Sequence, residues 1–521
     1  AALLAIAGTA QDKTDAQLTR EALVWFENHM QDLNLEIDSF QVVKVGDELT
    51  ATVNGHVDTA FLGLIGINDL DVNRTASVRI GLTAVELVMV LDTTGSMQET
   101  PSGQSMTKLE SMQDAALGMV DLLSELDNGR GNIEIGLVPF ATYVNVGVDN
   151  IEANWMDTGA RSSMHADNLV DGLNRFDLYE HLGYEWKGCV EARPHPHDVK
   201  DTRPRTTKPE TLFVPVFHPD EIDGNWYGNA YPNNYVKDYA TLGVPLLDVS
   251  NPVKYGLPET ILPYLLNGTT GGKIPSSSFL AGNNDDDDDD DCEGDDDSDL
   301  GYGNSKACNA NPFNSANWTK VSINKNYQYY SDVTTTIGPQ FGCEMRPITP
   351  LTADYDKLRS EISKLVASGS TNTSEGLAWG WRVLSPGAPF KEAEKYSDDV
   401  NKIVVLLSDG NNMIKERDTW PGKSDYSAYG YLANERLDGT DADSNQTEVL
   451  DSMDKLTSEV CTNIKASGIR IITIRLDLTD DRSEKLLKSC ASSEDDFIDA
   501  KNASELADAF ARVTENITRL Y

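Results

Sequence analysis

Residues 92 to 96 read Asp-Thr-Thr-Gly-Ser and follow directly on the apolar run Leu87–Leu91. A buried strand that ends in an acid and hydroxyls within five positions offers hard oxygen ligands at its tip. Two other segments offer the same chemistry. Thr371 stands in ASGSTNTSEG ahead of a predicted helix, and Asp409 closes the strand-like LLSDG. Asp92, Thr94, Ser96, Thr371 and Asp409 together supply two carboxylates and three hydroxyls. Such an all-oxygen set suits Mg²⁺, Mn²⁺ or Ca²⁺ and suits zinc poorly. Gly95 and Gly410 let the backbone turn sharply beside an ion. Taken singly, each segment is ordinary, because Ser or Thr after a strand often caps a helix and Asp-Gly often makes a turn. It is the recurrence at three strand ends or helix starts that argues for a metal site.

Elements of a definite kind must carry those residues. From residue 84 onward apolar strands alternate with helices. VELVMVLD leads to a helix near 106–127, and IEIGLVPFATYV forms a strand over 133–144. Helices near 352–367 and 373–384 precede the strand KIVVLLSDG over 402–410. A helix near 445–467, the strand IRIITIRLD, a short helix, the strand DFIDA and a helix over 503–519 close the chain. Near-continuous apolar strands between helices predict an α/β fold with a doubly wound, mostly parallel sheet. Such sheets bind ligands at the carboxyl ends of their strands. Residues 84–144 and 346–521 are read as this domain. Residues 1–83 predict a small α+β domain, with an amphipathic helix over 13–33 and alternating strands in FQVVKV, ELTATVNGHV and LDVNRTASVRI. Residues 145–345, rich in Pro, Gly, Asn, Tyr and Trp, are read as one large irregular insertion, too long for an ordinary connection.

The charge balance narrows the function. The 521 residues carry 43 basic and 84 acidic side chains, a formal net charge of −41. That field repels nucleic acid and anionic membranes and favours cations and basic partners. The six cysteines, an even number with no C-x-x-C pair, suggest disulfides and an oxidising compartment. The apolar start AALLAIAG is too short to span a bilayer and reads as the tail of a longer segment, removed or not represented in this chain.

The sequence D-T-T-G-S-M resembles the D-x-[ST]-x-S signature of von Willebrand factor A domains, which forms their metal-ion-dependent adhesion site. The resemblance implies that Asp92, Thr94 and Ser96 form the first ligand segment, with Thr371 the separate threonine and Asp409 the distal acid. It implies that the hydroxyls bind Mg²⁺ or Ca²⁺ directly and the acids mostly through water. The ion then stays electron-poor, and an acidic side chain of a protein partner takes the open position. A longer resemblance runs through EWKGCVEARPHPHD, LFVPVFHPDE, NNYVKDY, PLTADYDKLRSEI, GSTNTSEGLAWGWRVLSP and CTNIKASGIRIITI. These stretches are similar to the TadG-like proteins of the bacterial tight-adherence (Tad/Flp) pilus assembly system. In that family a membrane helix precedes a pilin-like region and an A domain with a long insertion. The resemblance implies a pilin-like domain over 1–83 and a location outside the cytoplasm, secreted or at the cell surface, on the periplasmic or outer-membrane side. It implies pilus components or further copies of the chain as partners.

A second feature is NNDDDDDDDCEGDDDSDLGYGN, residues 283–304. Packed carboxylates repel one another unless cations lie among them, and calcium is the natural candidate. Asp285, Asp287, Asp289, Asp291, Asp295 and Asp297 are candidate ligands, although their spacing matches no EF-hand loop. A solvated acidic loop is the plainer reading. Cys292 and Cys308 are close enough in sequence to pin it. Cys461 with Cys490, and Cys189 with Cys343, are the other candidate pairs among fifteen connectivities. His195, His197 and His218 read as loop histidines, and Asp441, Asp443 and Asn445 read equally as a helix start.

Three functions compete. The first is an extracytoplasmic adhesion or pilus-associated protein working through a divalent ion. The second is a calcium-stabilised structural subunit of an extracellular filament or surface layer. The third, an enzyme, lacks motif support: GTTGGKI at 268–274 fails as a phosphate loop, and neither a G-x-S-x-G elbow nor an H-E-x-x-H helix occurs. A non-enzymatic role is expected.

Overall fold

The computed structural model describes residues 2–7, 10, 13–29, 35–45, 48–58, 69–79, 84–168, 174–182, 184–219, 233, 338–417, 422–478 and 480–518. The acidic run 283–304, its six candidate aspartates, and Cys292 and Cys308 lie outside these residues. The chain divides into two compact units, Ala1–Ala84 and Val85–Leu520.

In the first unit, α1 (Ala2–Ala7) and α2 (Asp15–His29) accompany the antiparallel strands β1 (Leu35–Val45), β2 (Glu48–Asp58) and β3 (Asp69–Arg79), in the order β1-β2-β3. Leu18 and Ala22, four apart on α2, are buried with Val42 and Leu49 of the sheet and Leu3 and Ile6 of α1. The Thr19 hydroxyl accepts the Val42 amide at 2.9 Å and ties α2 to β1. Hydroxyl pairs on the sheet, Thr50–Ser77 at 2.9 Å and Thr52–Thr75 at 3.4 Å, hold the β2–β3 register through cross-strand contacts.

The second unit is built on β4 (Ala84–Asp92), β5 (Ile133–Phe140), β6 (Val144–Asn145), β7 (Cys189–Val190), β8 (Thr349–Thr352), β9 (Val400–Ser408), β10 (Arg470–Leu476) and β11 (Phe497–Ala500). The order is β11-β10-β9-β4-β5-β6-β7, with β8 beside β5. Pairs β4–β5, β9–β10 and β10–β11 are parallel, and the short β6, β7 and β8 are antiparallel. The helices are α3 (Lys108–Asp127), α4 (Arg175–Leu182), α5 (Tyr355–Ile362), α6 (Thr373–Leu384), α7 (Gln446–Ala466), α8 (Asp481–Cys490) and α9 (Ala503–Thr518).

Successive strand residues point to opposite sides of a sheet. Val88, Val90, Val138, Phe140, Val404 and Leu406 join one core with Leu377, Trp379 and Val383 of α6 and with α7. The alternate residues Leu87, Met89, Leu91, Ile135 and Leu137 are fully buried too. That is why these strands read as unbroken apolar runs: both faces are covered. Helix α6 approaches the sheet closely through two glycines one turn apart. A Cβ on Gly376 would lie 2.6 Å from the Phe140 ring, and one on Gly380 would lie 2.5 Å from Val90.

The strand predicted over 133–144 ends at Phe140. The chain turns over 141–143, where the Ala141 amide donates to the Tyr143 carbonyl at 3.1 Å, and Val144 then pairs back antiparallel on Phe140. From there the segment 145–345 continues the sheet through β7. The Asn145 amide donates to the carbonyls of Lys187 (3.0 Å) and Met345 (3.1 Å), and Cys189 is disulfide-bonded to Cys343 nearby. A second disulfide joins Cys461 of α7 to Cys490 at the end of α8. Glu191, fully buried, accepts from Arg175 and Arg436, each at 2.5 Å, and from the Tyr426 hydroxyl. A buried carboxylate requires such partners, and here they bind the insertion's base to the loop after β9.

Candidate metal centre

The parallel strands deliver polar residues at one edge. Asp92 ends β4, Ser408 ends β9 and Asp409 follows it directly. Thr371 precedes α6, whose start is fixed by Asn372, the residue that caps it. Backbone bonds draw the three segments together. The Gly95 amide donates to the Gly369 carbonyl at 2.9 Å, Ser368 to Thr93 at 2.8 Å, and Met413 to Thr371 at 2.8 Å. Asn412 adds a side-chain clamp: its Oδ1 accepts the Thr373 amide at 2.9 Å, and its Nδ2 donates to Asp454 (2.9 Å) and Thr457 (3.1 Å) of α7.

The five sequence-predicted residues meet there. Asp92 is buried; its Oδ1 accepts the Thr94 amide at 2.9 Å and its Oδ2 the Ser408 hydroxyl at 2.7 Å. The Thr94 and Ser96 hydroxyls are 3.0 Å apart, and Ser96 donates to Asp409 Oδ1 at 2.7 Å. Because Ser96 spends its one proton on Asp409, Thr94 donates to Ser96. A Cβ on Gly410 would stand 3.5 Å from Thr371 Oγ1 and 3.9 Å from Ser96 Oγ, so both hydroxyls flank that glycine. Thr93, the other hydroxyl of the opening motif, turns away to donate to the Phe140 carbonyl at 2.9 Å.

The electrostatics suit a cation. Burial, and next the negative charge of Asp409, push the Asp92 carboxyl up to about 7, against hydrogen bonds from Thr94 and Ser408 that pull it down. Two acids held together at low exposure, with the Ser96 hydroxyl donating to Asp409 and the Ser408 hydroxyl to Asp92, form a hard-ligand set. Among the described residues no group of three or more His, Cys, Asp or Glu side chains is arranged to hold a metal ion by itself.

Sequence reasoning missed four neighbours. Ser408 orients Asp92. Lys108 donates to Asp409 Oδ2 at 2.9 Å and to Glu99 Oε2 at 3.1 Å, and its Nζ lies 3.9 Å from Asp477 Oδ2. One signal was available for Lys108: a lysine in the first turn of a helix opposes the helix dipole and asks for another reason to be there. The remaining polar motifs have local explanations. His195 pairs with Asp198 at 3.1 Å, His197 lies 3.1 Å from the Thr202 hydroxyl, and His218 stacks on Tyr426. Asp441 accepts the Asp443 amide in a turn, and Asn445 caps α7.

No protein-family model matches the chain, and no curated protein matches it. Faint likenesses to solved structures exist. PilB, a minor pilin from Streptococcus sanguinis, is 12% identical with a TM-score of 0.36, over 93% of this chain and 79% of that one. The vWF domain of the type V pili tip protein Mfa5 from Porphyromonas gingivalis is 11% identical with a TM-score of 0.35, over 84% and 95%. The pilus adhesin SpaC from Lactobacillus rhamnosus GG is 10% identical with a TM-score of 0.33, over 93% of this chain and 34% of that one. The chain thus spans about a third of SpaC's length. Scores this low define neither fold nor function.

Proposed function

We propose that the protein is an extracytoplasmic, pilus-associated adhesion protein that captures an acidic side chain of a partner through a divalent cation. One observation carries the reading: Asp92, Thr94, Ser96, Thr371 and Asp409, spread over more than three hundred positions, converge at one strand edge. Mg²⁺ or Ca²⁺ is the ion this oxygen set favours. The ion would supply a positive centre, and the chain's own hydroxyls and carboxylates would hold it. The Ser368–Ser370 turn beside Thr371 also lines a cavity of about 340 Å³, together with Thr142, Glu344, Met413 and Tyr426, which gives a partner's neighbouring residue room. The two disulfides accord with an oxidising location. Pilus components or further copies of the chain are the proposed partners. A filament-subunit role rests on the acidic run, which lies outside the described residues, and no other observation favours it.

Titration calorimetry with MgCl₂ and CaCl₂, followed by capture of purified pili from the same cells, tests the reading. Metal binding and capture should both vanish with EDTA and in Asp92→Ala. Capture that survives both treatments refutes it.

A further inference from the structure

Lys108 has no role in the arrangement above, yet its placement is costly. It opens α3 behind the Thr107–Glu110 capping box, at the helix's positive end, and its side chain is only 7% exposed. Three carboxylates from three separate segments hold it: Asp409 Oδ2 at 2.9 Å, Glu99 Oε2 at 3.1 Å and Asp477 Oδ2 at 3.9 Å. Asp477 follows β10 in a left-handed conformation, φ +52°, that non-glycine residues adopt at some cost, while its amide donates to the Ala500 carbonyl at 2.9 Å. Asp409 is thereby divided: one oxygen faces the ammonium and the other faces Ser96.

We propose that Lys108 is a fixed counter-charge of the metal centre. It stays on Asp409 Oδ2 when a divalent cation binds, weakening metal affinity and strengthening capture of an acidic partner. The inference rests on the cation-dependent reading above. Glu99 and Asp477 belong to no part of the hydroxyl set, so they retain the ammonium whatever happens at Asp409 Oδ1. With Lys108 in place the loaded site is one unit more positive than without it. A cation entering the site feels that unit as repulsion, and an incoming carboxylate feels it as attraction. Across a few ångströms of partly solvated protein, one unit charge shifts either equilibrium about tenfold.

The test uses the full chain and Lys108→Met, which keeps the stem and removes the charge, with Lys108→Arg as the charge-preserving control. Calorimetry measures Mg²⁺ affinity. Fluorescence anisotropy at saturating Mg²⁺ measures binding of a labelled peptide carrying a single glutamate. Lys108→Met should bind Mg²⁺ about tenfold more tightly and the peptide about tenfold more weakly, with Lys108→Arg close to the parent in both. Glu99→Gln, at an exposed position that leaves folding intact, should move both affinities in the opposite directions. Tighter Mg²⁺ binding with unchanged peptide binding overturns the proposal, because Lys108 would then merely stand in for the ion and leave when it arrives. Looser Mg²⁺ binding in Lys108→Met, or equal changes in both affinities, also overturns it. If Lys108→Met does not fold, same-direction shifts in Glu99→Gln decide against it. A parent chain that binds no Mg²⁺ removes the cation reading itself, whereas the other outcomes leave that reading intact.

Discussion

Replacing Asp92 by asparagine should make the cation-free protein more stable. Burial and the Asp409 charge raise the Asp92 carboxyl from 3.8 to about 7. An acid raised in the folded state holds its proton there while the unfolded chain has already lost it. The cost of the charge is therefore absent below about pH 4, grows between about pH 4 and 7, and is fully present above about 7. A rise of that size corresponds to about 4 kcal/mol as an upper bound. Asparagine keeps an oxygen for the Thr94 amide but must meet Ser408 through its NH₂ group, which gives back about 1.5–3 kcal/mol of charge-assisted bonding. A net gain of about 1–3 kcal/mol remains. Urea unfolding in EDTA near pH 8 and near pH 5 reads it. The variant should be more stable than the parent at the higher pH and lose that advantage at the lower one. It should also lose any stabilisation by saturating MgCl₂ that the parent shows. A variant less stable than the parent in EDTA near pH 8 would refute the reasoning, because Asp92 would then be an ordinary satisfied carboxylate and not a charge that a cation relieves.

Three further outcomes follow from packing and burial. Gly376→Ala and Gly380→Ala should each cost about 1–3 kcal/mol in urea unfolding, because their methyls would press on Phe140 and Val90. Gly118→Ala, with nothing within 4 Å of its Cβ, should be neutral or stabilising by up to about 1 kcal/mol. His165 is neutral in the fold, with Nδ1 accepting the Arg175 amide and Nε2 facing the Asp157 carbonyl at 2.8 Å. Burial, and then the Arg175 charge, lower it from 6.5 to about 4. Its folded state resists the proton that the unfolded chain takes, so stability should fall by about 3 kcal/mol as pH drops from about 6.5 to 4. That slope should flatten in His165→Gln.

The strands, and the placing of the five oxygen residues at strand ends or a helix start, were legible because both signals are local. A buried parallel strand is an apolar run, and the residue at its carboxyl end is simply the next polar one. Helix starts were legible where a cap stands in sequence, as at Thr107, Asn372 and Asn445. The turn over 141–143 was not legible, because Phe140 and Val144 are both apolar and the reversal is set by pairing across the sheet. Nor was β8: four residues containing Pro350 carry no periodicity and become a strand only by lying along β5. Lys108 and Asp477 escaped for the same reason at the site. Lys108 matters through its bond to Asp409, 301 positions away, and Asp477 only through its approach to Lys108.

The clasp at the foot of the long insertion has an evolutionary consequence. Cys189 and Cys343, with Cα atoms 6.0 Å apart, close a stretch of chain 154 positions long, and Asn145 laces both limbs to the edge of the sheet. The entropy of closing a loop grows only with the logarithm of its length. The length of chain between the two cysteines can therefore change at little thermodynamic expense provided the segment that packs into the core around Glu191, Val199 and Phe213 is kept, and the strand tips that gather the oxygens stay where they are.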